Sequence, residues 1–168
     1  MKQKIKKLLL LPLKQINEIK WARKMGVRVG DNCRLLNVSF SSEPYLVKIG
    51  NHVSATRVHF ETHDGGMWIF RDKHPEWDKI NRIEVGDNVY IGYEALIMPG
   101  VRIGNNVIVG AKSVVTRDIP DNSVAVGIPA RVIKSTTDYY NKIKSEVILT
   151  KGLTAAQKKI YLLKHFNL

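Results

Sequence analysis

"VGDNVYIGYEALIMPGVRIGNNVIVGAKSVVTRDIP" (85–120) decides the fold. Val85, Ile91, Ile97, Ile103, Val109 and Val115 recur every six residues without a miss, and Gly86, Gly92, Gly104 and Gly110 follow four of them. Four residues into these units stand Val89, Ala95, Val101, Val107, Ser113 and Ile119, all small or aliphatic. An amphipathic helix repeats near every third or fourth residue and a half-buried strand every second, so neither template holds. A strict six is the signature of a parallel β-helix. Each unit is then a short strand and a turn, with the aliphatic residue pointing inward. Glycine relieves crowding there or permits positive φ. Three units make one coil of a triangular prism, and the stacked aliphatics form its core.

Outward from this stretch the units return less regularly in "VRVGDN" (27–32) and "LVKIGNHVSA" (46–55). Residues 64–82, "DGGMWIFRDKHPEWDKINR", break the period with charges, two tryptophans and a proline. They read as an excursion loop, and long loops on repeat folds tend to carry function. After Ile119 the phase slips, and "VAVGIPARVI" (124–133) closes the repeat. The expected organisation is a basic helical segment over 1–26, a β-helix over 27–134 and a helical tail over 135–168. In that tail Thr154 caps the second helix, and Ile160, Leu163 and Phe166 form part of its apolar face.

The 168 residues suit one domain with a continuous core. The lone Cys33 excludes an internal disulfide framework and fits a reducing compartment, with packing its expected role. The formal charge of +12 favours anionic partners. No zinc-finger spacing or nucleic-acid module accompanies it, so nucleic acid is not expected. "KKLLLLPL" (6–13) is too short for the apolar run of a secretion signal and falls short of the roughly 20 residues of a membrane span. An amphipathic segment there is expected to pack on the protein's own core, and it also permits peripheral contact with an anionic membrane. The expected location is the cytoplasm, extending to the inner face of the membrane.

The 85–119 repeats, the run "IVGAKSVVTRDIPDNSVAVGIPARVIK" and the "THDGG" that opens the excursion together resemble the left-handed β-helix, or hexapeptide-repeat, acyltransferases. The resemblance covers roughly 27–134 and looks most like the branch that O-acetylates sugars and sugar units of surface polysaccharides, with xenobiotic acetyltransferases as relatives. It implies left-handed coiling, a homotrimer with active sites between subunits, acetyl-CoA as co-substrate and a sugar or glycan acceptor. No metal is expected.

Acetyl transfer to a hydroxyl needs a base for the hydroxyl proton, a thioester held in line and donors for the oxyanion. Histidine suits the first task. His63, in "FETHDGGMWIF" (60–70), matches the family's catalytic histidine; alone, it would read as a turn residue. Glu61 and Asp64 are the carboxylates that could orient it. Gly65 and Gly66 would let the chain leave the prism. Asp64, Trp68 and Asn37 are the acceptor-side candidates, Trp68 because an aromatic face complements a sugar's apolar side. For the donor, the resemblance implies that Ala111 meets the pantetheine arm and that Tyr90 and Tyr93 line the thioester end. It also puts Thr116 among the donor contacts and Arg117, Arg131 and Lys134 at the nucleotide phosphates. Tyrosines stand where some relatives carry tryptophan or serine. The rival on the same fold is a γ-carbonic-anhydrase-like zinc site drawing on His52, His59, His63 and His74. The spacing of His52 and His74 fits that rival poorly, and His59, in "RVHF", is expected to face solvent.

Overall fold

A computed structural model describes residues 11–168. Most of the leucine-rich stretch at 6–13, with the membrane contact considered for it, lies outside the described residues. Two short helices come first, α1 (Leu11–Ile16) and α2 (Glu18–Met25). Asn17 caps α2 by accepting from the Lys20 N–H, and Gly26 ends it at φ +104°, a conformation glycine takes without steric cost. Trp21 and Ala22 of α2 are buried, and Trp21 lies 5.7 Å, centroid to centroid, from Phe40.

The repeat then winds through four coils. The first is β1 (Arg28–Val29), β2 (Arg34–Leu36) and β3 (Ser39–Phe40). The second is β4 (Val47–Ile49), β5 (Val53–Thr56) and β6 (His59–Phe60). The third is β7 (Ile83–Val85), β8 (Val89–Ile91) and β9 (Leu96–Ile97), and the fourth β10 (Arg102–Ile103), β11 (Val107–Val109) and β12 (Val114–Val115). Successive strands join successive sheets, giving three parallel faces: β1-β4-β7-β10, β2-β5-β8-β11 and β3-β6-β9-β12. The chain ends the second face with β13 (Ser123–Gly127) and an antiparallel β14 (Ala130–Ser135).

The register explains the period. Glu84 pairs with Arg102, Tyr90 with Ile108 and Leu96 with Val114, eighteen residues apart each time, or three units of six. Both columns picked out by the sequence, six residues in each, are buried. Ser113 is the polar exception, and its Oγ accepts the Gly127 N–H at 3.0 Å, so the buried hydroxyl has a partner.

The repeat glycines do not work through positive φ. Gly86, Gly92, Gly104 and Gly110 lie outside that region, which is taken instead by corner residues: Asn32, His52, Asn88, Asn106 and Asn122 at one corner, and Asn37, Arg57, Glu94 and Lys112 at the next. The glycines are there for close approach. A Cβ on Gly86 would stand 2.6 Å from Asn105 Oδ1 and 2.7 Å from the Gly104 carbonyl oxygen. That oxygen of Asn105 is committed, because it accepts the Asp87 N–H at 2.8 Å. The same bond repeats up the prism: Asp31 N–H to Asn51, Asn51 N–H to Asp87, and Asn105 N–H to Asp121. "Gly-Asp/Asn" thus pairs a side chain that bonds the coil below with a residue small enough to admit it.

The tail forms α3 (Thr136–Ile143) and α4 (Ala155–His165), each with a capping box, from Ser135 and Thr154. Ile160, Leu163 and Phe166 are exposed in the single chain.

Gly86→Ala is expected to destabilise the protein by about 1–3 kcal/mol through overpacking. Gly65→Ala, whose Cβ meets nothing within 4 Å, should stay within about 0.5 kcal/mol of wild type. Denaturant titration of the two variants checks the contrast.

Candidate active site

Three residues after β6 the chain leaves the third face, and it returns at β7. The neck of this excursion is a short antiparallel pairing: His63 bridges Ile80, the Asp64 N–H donates to the Lys79 carbonyl, and the Asn81 N–H to that of Thr62. His63 is therefore fixed at a neck. Beyond it, Gly65–Phe70 forms a 3-10 turn capped by Asp64, whose carboxylate accepts the Gly66 N–H. Neither Gly65 nor Gly66 takes positive φ. Phe70 and Trp77 pack at 6.5 Å, and His74 stacks on Trp77 at 3.5 Å. Trp68 and Ile69 project, 77% and 76% exposed.

Around His63 lies a polar network. Its Nδ1 is buried, 3.2 Å from Glu61 Oε1 and 3.8 Å from Glu43 Oε2, but off the line of a hydrogen bond. The contact is one of charge: two carboxylates face Nδ1 and favour the proton there. The side chain is 41% exposed, and with Nδ1 buried that exposure falls on the opposite edge. Glu61 is held in turn by His59, whose Nε2 lies 3.1 Å from its Oε2 while Nδ1 meets Ser39 Oγ at 2.7 Å. An ionised carboxylate only accepts, so Nε2 of His59 carries a proton. Burial pushes the Glu61 carboxyl up, but hydrogen bonds from His59, the His63 N–H and Ser41 outweigh it and hold the group below its ordinary value. Thr62 is fully buried; its Oγ1 donates to Glu43 at 2.8 Å and its N–H to Ser41 Oγ at 2.9 Å.

Two expectations change here. His59 does not simply face solvent: it is half-buried and hydrogen-bonded at both ring nitrogens. Of the two carboxylates proposed to orient His63, Glu61 is in place. Asp64 is engaged by a hydrogen bond from Lys79 (2.9 Å) and by the Gly66 N–H, which hold its carboxyl below its ordinary value. Glu43, Ser39 and Ser41 were missed, although a signal was present. They stand twenty residues before His63, His59 and Glu61, the offset that pairs Ser39 with His59 between the first two coils.

The remaining candidates spread over the prism. Asn37 occupies a positive-φ corner, its N–H bonded to Glu18, which accounts for an asparagine there. Tyr93 lies at the same corner two coils on, with Arg57 over its ring at 5.2 Å. Ala111 is exposed at this corner one coil further, beside Lys112, whose N–H donates to the Tyr93 carbonyl. Tyr90 instead points out from β8 into a cleft beside α3. Thr116 and Arg117 are exposed just after β12, on the His63 edge of the third face but two coils away. Arg131 and Lys134 sit on β14. A single chain therefore holds His63 on one edge of the third face and Tyr93 with Ala111 on the other. Among the described residues no three His, Cys, Asp or Glu side chains converge as metal ligands. His52 is bound to Asn88 at a corner and His74 is stacked in the excursion, both apart from the His59–His63 pair.

Residues 82–117 match the family described as bacterial transferase hexapeptide (six repeats). Protein CapG of Staphylococcus aureus is 53% identical over 167 residues, covering 97% of each chain. The galactoside O-acetyltransferase of Escherichia coli (strain K12) is 52% identical over 64 residues, 36% of this chain and 32% of that one. Among solved structures, the hexapeptide-repeat acetyltransferase VCA0836 of Vibrio cholerae, complexed with acetyl coenzyme A, is 30% identical with a TM-score of 0.59. That match covers 66% of this chain, which spans 60% of the Vibrio protein's length. The chain belongs to the hexapeptide-repeat transferase family, and its class is that of the acyltransferases.

Because the folded-state value of Glu61 is lowered, its stabilising contribution is present above the unfolded carboxylate value of about 4.3 and is lost as pH falls through the folded one. Glu61→Gln should therefore denature earlier than wild type at pH 7, with the gap shrinking toward pH 3. Denaturant midpoints at the two pH values test this.

Proposed function

We propose that the chain is an O-acetyltransferase that moves the acetyl group of acetyl-CoA to a hydroxyl of a sugar or polysaccharide precursor, with His63 as general base. The observation that carries this is His63 itself: fixed at the neck, carboxylates against Nδ1, the far edge of the ring open. With the proton held at Nδ1, Nε2 offers its lone pair to the acceptor hydroxyl. Nε2 takes that proton as the hydroxyl oxygen attacks the thioester carbon, and the Glu61 charge stabilises the imidazolium that results. The tetrahedral intermediate collapses with cleavage of the C–S bond, and the imidazolium returns the proton to the leaving thiolate of coenzyme A. Transfer is direct, and no acyl-enzyme is formed.

The donor arm runs past Ala111 with Tyr90 and Tyr93 at its thioester end, Thr116 adds a donor contact, and Arg117, Arg131 and Lys134 serve the nucleotide phosphates. In a single chain Tyr93 and Ala111 lie across the third face from His63. The site is therefore completed between copies of a left-handed prism assembled as a homotrimer. Trp68, with Ile69, forms an apolar wall for the acceptor, and Asn37 and Asp64 add polar contacts on the acceptor side. No helix among the described residues is long and apolar enough to cross a membrane, and we place the enzyme in the cytoplasm. The galactoside O-acetyltransferase and the acetyl-CoA complex among the similar proteins support the donor and the acceptor class.

His63→Ala should lower kcat at least ~10²-fold, read as thiol release from acetyl-CoA over a panel of sugar acceptors. Joint replacement of Arg131 and Lys134 by alanine should raise KM for acetyl-CoA while leaving kcat near wild type. In solution the particle mass should be about three times the 19.1 kDa chain; a monomer by light scattering would defeat the shared-site reading.

A further inference from the structure

Between the outer surface of the second face and α3 runs a cleft of about 720 Å³, within the range of small-ligand sites. Three tyrosines line it: Tyr90 from β8, and Tyr139 and Tyr140 from α3. None of their hydroxyls is engaged in a hydrogen bond among the described residues, and Tyr90 and Tyr140 are 46% and 63% exposed. Along one margin the corner asparagines form a ladder, with Asn88 donating to Asn106 Oδ1 at 2.8 Å and Asn106 to Asn122 Oδ1 at 3.0 Å. Each such bond uses one amide hydrogen and leaves the second free.

The charge is one-sided. No Asp or Glu lines the cleft, whereas Arg34 and Lys151 do. The Arg34 guanidinium meets only the neutral Ser54 Oγ, at 3.2 and 3.0 Å, and neither cation has a carboxylate partner among the described residues. Aromatic faces beside free hydroxyl and amide groups suit pyranose rings, which offer an apolar C–H face and a rim of hydroxyls. Unpaired guanidinium and ammonium groups add a preference for carboxylate or phosphate substituents.

We propose that this cleft binds an anionic oligosaccharide, the non-reacting portion of the acceptor, with Tyr139 and Tyr140 as stacking platforms and Arg34 and Lys151 as charge selectors. Its role as acceptor subsite rests on the transferase reading, since Tyr90, where the thioester end of the donor is placed, is among the residues lining the cleft. Binding itself stands on the cleft alone.

The test titrates full-length protein with a trimer of galacturonic acid, and with neutral maltotriose and coenzyme A as comparators, by calorimetry. The acidic trisaccharide is expected to bind more tightly than maltotriose. It should weaken at least about five-fold in Arg34→Ala/Lys151→Ala and in Tyr139→Ala/Tyr140→Ala. Both variants should keep the wild-type far-UV spectrum and KM for acetyl-CoA with a monosaccharide acceptor, and His63→Ala should keep trisaccharide affinity. Equal binding of maltotriose, unchanged affinity in the variants, or displacement of the trisaccharide by coenzyme A would overturn the inference. Trisaccharide binding without acetyl transfer by the wild type would sink the transferase reading and leave the cleft standing. Transfer without such binding would do the reverse.

Discussion

The structure depends on one bond repeated up the prism: an Asn or Asp side chain accepting the backbone N–H of the equivalent residue one coil away. It satisfies an amide at a corner where the strand ladder has ended, and it sets the coils in register. The preceding glycine is its necessary companion, because any Cβ there would enter the space of the accepting oxygen. Burial of the aliphatic columns supplies the driving force for the fold and penalises a one-residue slip, which would turn them out to solvent. The corner bond adds a second, polar constraint on the same register.

The same lattice fixes the geometry of the excursion's neck. A loop inserted into a rigid coil leaves and returns at fixed points, so the residues at its neck inherit the geometry of the strands. His63 is held by pairing with Ile80 below a self-packed loop, while Glu43, Ser39 and Ser41 are delivered from the coil before. A side chain on such a support keeps its orientation without a dedicated scaffold. The apolar tip at Trp68 and Ile69 lies beyond the neck and is free of that constraint.

The prism was legible in the sequence because its signal is redundant. Twelve positions from 85 to 119 repeat one choice, and all twelve are buried. The role of the glycines was only half legible: crowding and positive φ both call for glycine, and only coordinates show asparagine, arginine and lysine taking the positive φ at the corners. His63 was visible as the residue that opens the interruption. The network behind it was not, because His59 and Glu43 are ordinary surface types whose burial comes from stacking. Counting twenty residues between the first two coils would have placed Glu43 beside His63. Which way Tyr90 and Tyr93 face was hidden as well, since one belongs to a strand and the other to a corner.

A coil that bonds so well to an identical neighbour is a template for its own extension, and nothing in the repeat says where to stop. The antiparallel β14 supplies the end: by reversing direction across the last rung of the second face it presents the wrong hydrogen-bond pattern to an incoming parallel coil. At the other end, Trp21 of α2 stands over Phe40 where a further rung would seat its apolar column. Between those two stops the number of rungs is a free variable. The fold can lengthen or shorten by eighteen residues in evolution without reinventing its core, while remaining a particle of finite length and not a fibre.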